Sequence, residues 1–84
     1  MAKILIIEDD ETILMGLKDD LEFEGYEVAV ADNGRDGYRL ARDGDFQLII
    51  LDILLPELNG FEICKKLREE DVNTPILMLT AASY

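Results

Sequence analysis

The strongest constraint on the fold is a set of short aliphatic segments, each followed directly by an acidic or hydroxyl residue. Residues 4–7, 46–51 and 76–79 form three such segments. Short, nearly continuous apolar runs are typical of strands that are buried on both faces of a parallel sheet. Residues 26–31 alternate weakly between apolar and polar and predict one more strand. The pattern therefore predicts four strands of a single sheet.

Segments with helical spacing of apolar residues separate the predicted strands. They predict a first helix over residues 11–24, with Gly25 in the position of a C-terminal cap, and a shorter one over 35–42. A third helix begins at Gly60, after a loop that contains a proline. The residues expected on its apolar face are Phe61, Cys64 and Leu67. Strands that alternate with helices indicate right-handed βαβ units, so the predicted fold class is α/β with an open parallel sheet.

Size and charge limit the possible functions. A chain of 84 residues forms one domain at most, and its 19 acidic against 8 basic residues leave a net charge of −11. This charge repels nucleic-acid backbones and anionic membranes, so direct binding to either is not expected. The chain has no histidine, and Cys64 is its single cysteine, which excludes histidine-based metal sites, Ser–His triads and an internal disulfide. A cytoplasmic protein that uses carboxylates and hydroxyls is expected.

Polar residues that follow the predicted strands form the candidate site. Glu8 and Asp9 follow the first strand, Asp52 the third and Thr80 the fourth. Ligands of open α/β sheets bind beyond the carboxyl ends of the strands, where the strand order reverses, so these residues are expected to lie at one edge. A single acid in such a position is more often a solvated loop residue or a helix cap, and Asp10 is interpreted as a helix-start residue. The whole set favours a site.

Three carboxylates from two strand ends repel one another unless a proton or a cation lies between them. Oxygen ligands of this kind suit Mg²⁺, which binds through a few carboxylates and phosphate oxygens. An aspartate can act as a nucleophile towards a phosphoryl group, and Thr80 could donate a hydrogen bond to one of the phosphoryl oxygens. Phosphoryl chemistry is therefore the predicted activity.

Four strings carry a resemblance to a known family. They are Ile-Ile-Glu-Asp-Asp at 6–10, Leu-Asp-Ile-Leu-Leu-Pro at 51–56, Asn-Gly at 59–60 and Met-Leu-Thr-Ala at 78–81. In this order and spacing the chain closely resembles the receiver domain of two-component response regulators. The string at 51–56 is similar to that of the subfamily in which a winged-helix DNA-binding domain follows the receiver. The resemblance implies a flavodoxin-like sheet with the strand order second-first-third-fourth-fifth.

The resemblance also implies roles for single residues. Asp52 would be the phosphoacceptor, which takes a phosphoryl group from a phosphohistidine of a sensor histidine kinase, so the domain would not be a turnover enzyme. Mg²⁺ would be the cofactor. It would be bound by Asp9, by Asp52 and by the main-chain carbonyl of Leu54, with Glu8 acting mostly through a metal-bound water.

Three further residues have implied roles around this site. Thr80 would be the switch hydroxyl that moves to the phosphoryl group, while Pro56 and Gly60 would shape the adjacent loop. Receivers continue with a fourth helix, a fifth strand that ends in a lysine and a fifth helix, so residues 1–84 are expected to be an incomplete receiver, truncated after the fourth strand. An interior strand would then be an edge, which predicts self-association, as a homodimer or larger assembly, through the fourth strand.

Two alternatives from other classes stay open. Residues 8–12 imitate the Asp-x-Asp-x-Thr start of haloacid-dehalogenase-like phosphatases, although Glu8 stands where the nucleophilic aspartate belongs. The chain could also be a dimerisation or docking fragment that is not phosphorylated. Labelling of Asp52 only by acyl phosphate or phosphoramidate donors would favour the receiver over the phosphatase.

Overall fold

Strands and helices alternate along the chain in the computed structural model, which describes residues 1–79 and leaves Thr80 outside the described part. The elements are β1 (Lys3–Ile7), α1 (Glu11–Phe23), β2 (Glu27–Ala31), α2 (Gly34–Asp43), β3 (Leu48–Asp52), α3 (Gly60–Glu69) and β4 (Ile76–Leu79). Each predicted element is present: the predicted bounds of the four strands, α1 and α2 lie within two residues of the observed ones, and α3 begins at Gly60 as predicted. No helix within residues 1–79 is long and apolar enough to cross a membrane.

The four strands form one parallel sheet in the order β2-β1-β3-β4. In its register Ile7 lies opposite Ala31 on one side and Leu51 on the other, and Asp52 lies opposite Leu79. From β1 the chain proceeds first to β2 on one side and then to β3 on the other. The strand order therefore reverses between β1 and β3, and the crevice beyond their carboxyl ends is the expected ligand position. The predicted α/β class and open parallel sheet are confirmed.

Two apolar clusters cover the two faces of the sheet, because successive strand residues point to opposite sides. One cluster joins alternate residues of β1 and β3 to α2 and α3: Leu5, Ile7, Ile49, Leu51, Ala41, Ile63 and Leu67 belong to it. The other joins the remaining strand residues to α1: Ile4, Ile6, Ile50 and Leu14 belong to it. Burial on both faces explains why β1 and β3 are continuous aliphatic runs.

The apolar face expected for α3 was partly wrong. Leu67 is fully buried, but Phe61 is 62% exposed and Cys64 is half-buried. The helix buries Ile63 instead, which lies four residues before Leu67 and three after the buried Gly60. Gly60 packs against the main chain at the end of β3, and this contact fixes which side of α3 faces the sheet.

Candidate functional site

Three acidic side chains meet at the carboxyl edge of β1 and β3. Glu8 follows β1 and extends its ladder, because its N–H donates to the Ala31 carbonyl at 3.0 Å. Asp52 is the last residue of β3, and both carboxyl groups belong to residues that are only 4% exposed. Asp9 is exposed. One carboxylate oxygen from each of the three acids lies within 4.8 Å of the other two, so the fold brings these side chains together as expected.

Main-chain N–H groups orient the two buried carboxylates. The Asp10 N–H donates to Glu8 Oε1 at 3.1 Å, and the Leu54 N–H donates to Asp52 Oδ1 in a long hydrogen bond of 3.3 Å. Asp10 itself caps α1, since its Oδ1 accepts from the Ile13 N–H at 3.1 Å. Asp10 is thus the helix-start residue that the sequence indicated.

The site concentrates more negative charge than its surroundings offset. Burial raises the pKa of Glu8 from 4.5 to about 7, and the charges of Asp52 and Asp9 and a hydrogen bond with Asp52 act in the same direction. The Asp10 N–H opposes this rise in pKa. A carboxyl group that takes up protons near neutral pH marks a place where a cation would relieve repulsion. The all-oxygen donor set of the three acids is the kind that binds Mg²⁺.

The loop over residues 53–59 connects Asp52 to α3 and folds back on its own start. The Gly60 N–H donates to the Ile53 carbonyl at 2.9 Å. A Cβ atom on Gly60 would lie only 2.6 Å from the Asp52 carbonyl oxygen and 2.8 Å from the Ile53 Cα, so this close approach requires glycine. The Pro56 carbonyl accepts from the Leu58 N–H at 2.8 Å, which tightens the turn in the middle of the loop.

The turn after β2 begins α2 beside the site. The cap of α2 is Asn33, whose Oδ1 accepts from the Asp36 N–H at 2.9 Å. Asp32 is the exposed residue just before it, and its carboxylate accepts from the Asn33 side chain. Thr80 follows Leu79 in sequence but lies outside the described residues, so its expected place beside Asp52 stays a prediction.

The fold and the site together define a class: a flavodoxin-like domain with an acidic, oxygen-rich cluster at its topological switch point. The chain matches the family model of the response regulator receiver domain over residues 4–84. It therefore belongs to the response regulator receiver domain family.

Individual proteins show the same similarity. The chain is 45% identical over 78 residues to the uncharacterized transcriptional regulatory protein YkoG of Bacillus subtilis, a match that covers 93% of this chain and 34% of that protein. The chain thus spans about a third of the length of this curated relative. Among solved structures, it is similar to the receiver domain of the Francisella response regulator 1452, with a TM-score of 0.94 and 30% identity over 100% of this chain and 69% of the other.

A second solved structure bears on chemistry. It is the response regulator TrrA from Thermotoga maritima in complex with Mg²⁺ and BeF, with a TM-score of 0.91 and 36% identity over 99% of this chain and 72% of the other. TrrA is also known in complex with the histidine kinase ThkA, where the TM-score is 0.89 over 100% of this chain. The family is that expected from the sequence, and neither the phosphatase nor the dimerisation-fragment alternative gains support.

Proposed function

We propose that Asp52 is the phosphoacceptor of this receiver domain and that a phosphohistidine of a sensor histidine kinase is the donor. The observation that carries the proposal is the position of Asp52: it ends β3 at the switch point, within 4.8 Å of two other carboxylates. The Leu54 N–H bonds to Asp52 Oδ1 and so orients the carboxylate. The similarity to TrrA, which is found in complex with a histidine kinase, supports the choice of donor.

The reaction is a transfer of one phosphoryl group. A carboxylate oxygen of Asp52 attacks phosphorus, the bond between phosphorus and the donor imidazole nitrogen breaks, and that nitrogen keeps the electron pair. The product is an acyl phosphate on Asp52. The chain accepts a group on its own side chain and changes its interactions as a result, so it acts as a switch and not as a turnover enzyme.

The residues around Asp52 fit Mg²⁺ as the cofactor. Asp9, Asp52 and the main-chain carbonyl of Leu54 would bind it, and Glu8 would contribute mostly through a bound water. When bound, Mg²⁺ would offset the negative charge of the phosphoryl oxygens. The raised pKa of Glu8 supports this assignment, because burial beside other acids leaves negative charge for a cation to neutralise.

Three residues complete the proposal. Thr80 would donate a hydrogen bond to a phosphoryl oxygen and act as the switch hydroxyl. Gly60 would keep the 53–59 loop against the end of β3, and Pro56 would shape its turn.

For the cellular context we propose a cytoplasmic protein that regulates transcription, since YkoG is named a transcriptional regulatory protein. The net charge of −11 favours DNA contact by another part of such a protein and not by these residues.

Intact-mass analysis after treatment with acetyl phosphate and Mg²⁺ tests the phosphoacceptor directly. We expect one added phosphoryl group on the wild type and none on Asp52→Asn. Asp32→Asn is the matched control, because Asp32 is an exposed acid just beyond the end of β2 and outside the cluster, and it should be modified like the wild type. Equal modification of wild type and Asp52→Asn would refute the assignment.

We also propose that β4 takes part in self-association. Within residues 1–79, β4 pairs with β3 on one side only, and Leu77 is 52% exposed. An aliphatic edge without a charged residue favours the addition of another strand. Light scattering on the 84-residue polypeptide should report a dimer or larger assembly, and Leu77→Lys should shift it towards monomer. A wild-type monomer at tens of micromolar would contradict the proposal.

A further inference from the structure

The start of α2 contributes no side chain to the acidic cluster, yet it packs against the segments next to both halves of that cluster. Gly37 contacts Ile7, the residue before Glu8, and Gly34 contacts Leu58 in the loop after Asp52. We propose that Gly34 is a positioning residue, whose contact with the Leu58 main chain sets the 53–59 loop beside Asp52. This inference rests on the proposed function of that loop in binding Mg²⁺.

The contact at Gly34 leaves no room for a side chain. A Cβ atom there would lie 2.3 Å from the Leu58 carbonyl oxygen and 3.1 Å from the Leu58 Cβ. The nearer of these atoms belongs to the main chain, so no side-chain rotation can relieve the clash. Any residue other than glycine therefore forces α2 and the loop apart.

α2 is the better anchored of the two partners. A Cβ on Gly37 would lie 2.6 Å from Ile7 Cγ2, which shows that the helix sits close against β1. Ala41, one turn further on, is 2% exposed, and Asn33 caps the start of the helix. Withdrawal of α2 would open these contacts along the helix, whereas in the loop Leu55 is the buried residue and Pro56 and Glu57, at its turn, are exposed. The loop is expected to yield.

A displaced loop would carry its movement to the site. Its ends are fixed by the hydrogen bonds from Gly60 to Ile53 and from Leu54 to Asp52. Glu57, in its middle, has a φ of 71°, a left-handed conformation that a non-glycine residue keeps only where the surrounding structure holds it. Because the ends and the turn of the loop are both held, a shift of Leu58 also displaces the Leu54 peptide. The N–H of that peptide donates to the Asp52 carboxylate, and its carbonyl is proposed to bind Mg²⁺.

Gly34→Ala in the full chain tests the inference against Gly16→Ala. An added Cβ at Gly16 meets no atom within 4 Å, so this control changes glycine content without a clash. Calorimetric titration with Mg²⁺ alone should show affinity about tenfold weaker in Gly34→Ala, as is common when a residue that orients a metal ligand is altered. The phosphorylation rate with acetyl phosphate at saturating Mg²⁺ should fall as well. Gly16→Ala should match the wild type in both measurements.

One further measurement and one further variant separate positioning from general destabilisation. In NMR spectra of Gly34→Ala, the amide signals of Leu54 and Gly60 should shift. The amide signals at the start of β2, the end of that strand farther from Gly34 in sequence, should stay unchanged. Asn33→Ala provides a second, milder variant, because it removes the cap of α2 without a clash. Ile4→Val is its control for lost stability, since Ile4 is buried on the α1 face of the sheet, near the start of β1 and away from α2.

The outcomes distinguish this inference from the function on which it rests. Weaker Mg²⁺ binding in Gly34→Ala and in Asn33→Ala, with both controls unchanged, supports it. If Gly34→Ala does not fold, the comparison of Asn33→Ala with Ile4→Val decides. A different result is that the wild type binds Mg²⁺ and is modified at Asp52 while Gly34→Ala and Asn33→Ala show the same affinity and rate as their controls. That result overturns the positioning role alone. A wild type that does neither overturns the proposed function and this inference together.

Discussion

β3 and β4 are neighbours in the sheet and have similar aliphatic sequences, yet they differ in burial. In β3, Ile49 and Leu51 are fully buried, whereas in β4 Leu77 is 52% exposed and the remaining residues are half-buried. β3 lies between two strands and is covered on both faces, while β4 has one neighbouring strand within residues 1–79. An aliphatic run therefore predicts a strand, but the surrounding elements decide how deeply it is buried.

Matched leucine truncations in the two strands should give the largest difference. Leu51→Ala removes a fully buried side chain and leaves a cavity, so we expect it to lower the free energy of unfolding by about 3 kcal/mol. Leu77→Ala acts at a half-exposed position and should lower it by less than about 1 kcal/mol. Urea denaturation of both variants, at protein concentrations low enough to keep the chain monomeric, measures the two losses. Equal losses would mean that β4 is covered as well as β3 in solution.

The same contrast explains what the sequence could predict. The convergence of Glu8, Asp9 and Asp52 was predictable, because the carboxyl ends of parallel strands share one edge of the sheet. The order of elements was equally clear from apolar periodicity. The contact between Gly34 and Leu58 was not predictable from the sequence, since it joins two main-chain segments and depends on no side chain.

Other features depend on three-dimensional surroundings in the same way. The face of α3 was misjudged at Phe61 because apolar spacing alone does not reveal which side a close main-chain contact turns to the sheet. The left-handed conformation of Glu57 gives no sequence signal either, because glycine and asparagine are the residues that usually indicate it. The raised pKa of Glu8 follows from burial, which residue order does not define.

Asp52→Asn sharpens the comparison at the carboxyl end of β3. Without Mg²⁺ the substitution removes a negative charge that faces the buried Glu8, so at alkaline pH we expect the free energy of unfolding to rise by about 1 kcal/mol. The wild type should gain stability when Mg²⁺ is added, whereas the variant should gain little. Thermal melts with and without Mg²⁺ measure both effects, with Asp32→Asn as the control. An unchanged Mg²⁺ shift in Asp52→Asn would argue against Asp52 as a ligand.

The pH dependence of stability should report on Glu8. Its pKa is raised from 4.5 to about 7 in the folded state, chiefly by burial, so between these values the folded state binds more protons than the unfolded state. Without Mg²⁺, the contribution of Glu8 to the free energy of unfolding should be fully present below pH 4.5 and should be lost as the pH rises to about 7. We expect a loss of about 1 kcal/mol, because the adjacent exposed Asp9 leaves the cluster partly screened by solvent.

Glu8→Gln isolates this contribution from that of the other acids. The difference in free energy of unfolding between wild type and Glu8→Gln, measured by urea denaturation across the same pH window, should change with pH without Mg²⁺. It should change less when Mg²⁺ is present, because the cation replaces the proton at the cluster. A difference that is independent of pH under both conditions would contradict the raised pKa.

The smallest change in the free energy of unfolding is expected on the surface between α2 and α3. The contact there is exposed to solvent, as the Leu77 side chain of β4 is, so its loss should cost little. The Tyr38 hydroxyl donates to the Glu70 carboxylate, and the Arg42 and Lys66 cations lie 5.5 and 5.7 Å from the centre of the Tyr38 ring.

Tyr38→Phe keeps the ring and its cation contacts but loses the hydroxyl. Water can replace the lost hydrogen bond at this exposed site, so the urea midpoint should change less than in Leu77→Ala. The contact is better detected by its effect on ionisation, because the hydrogen bond to Glu70 raises the pKa of Tyr38. Spectrophotometric titration should show that tyrosine ionising at lower pH in Glu70→Gln. A Tyr38 titration that Glu70→Gln leaves unchanged would mean that the two helices do not hold this contact in solution.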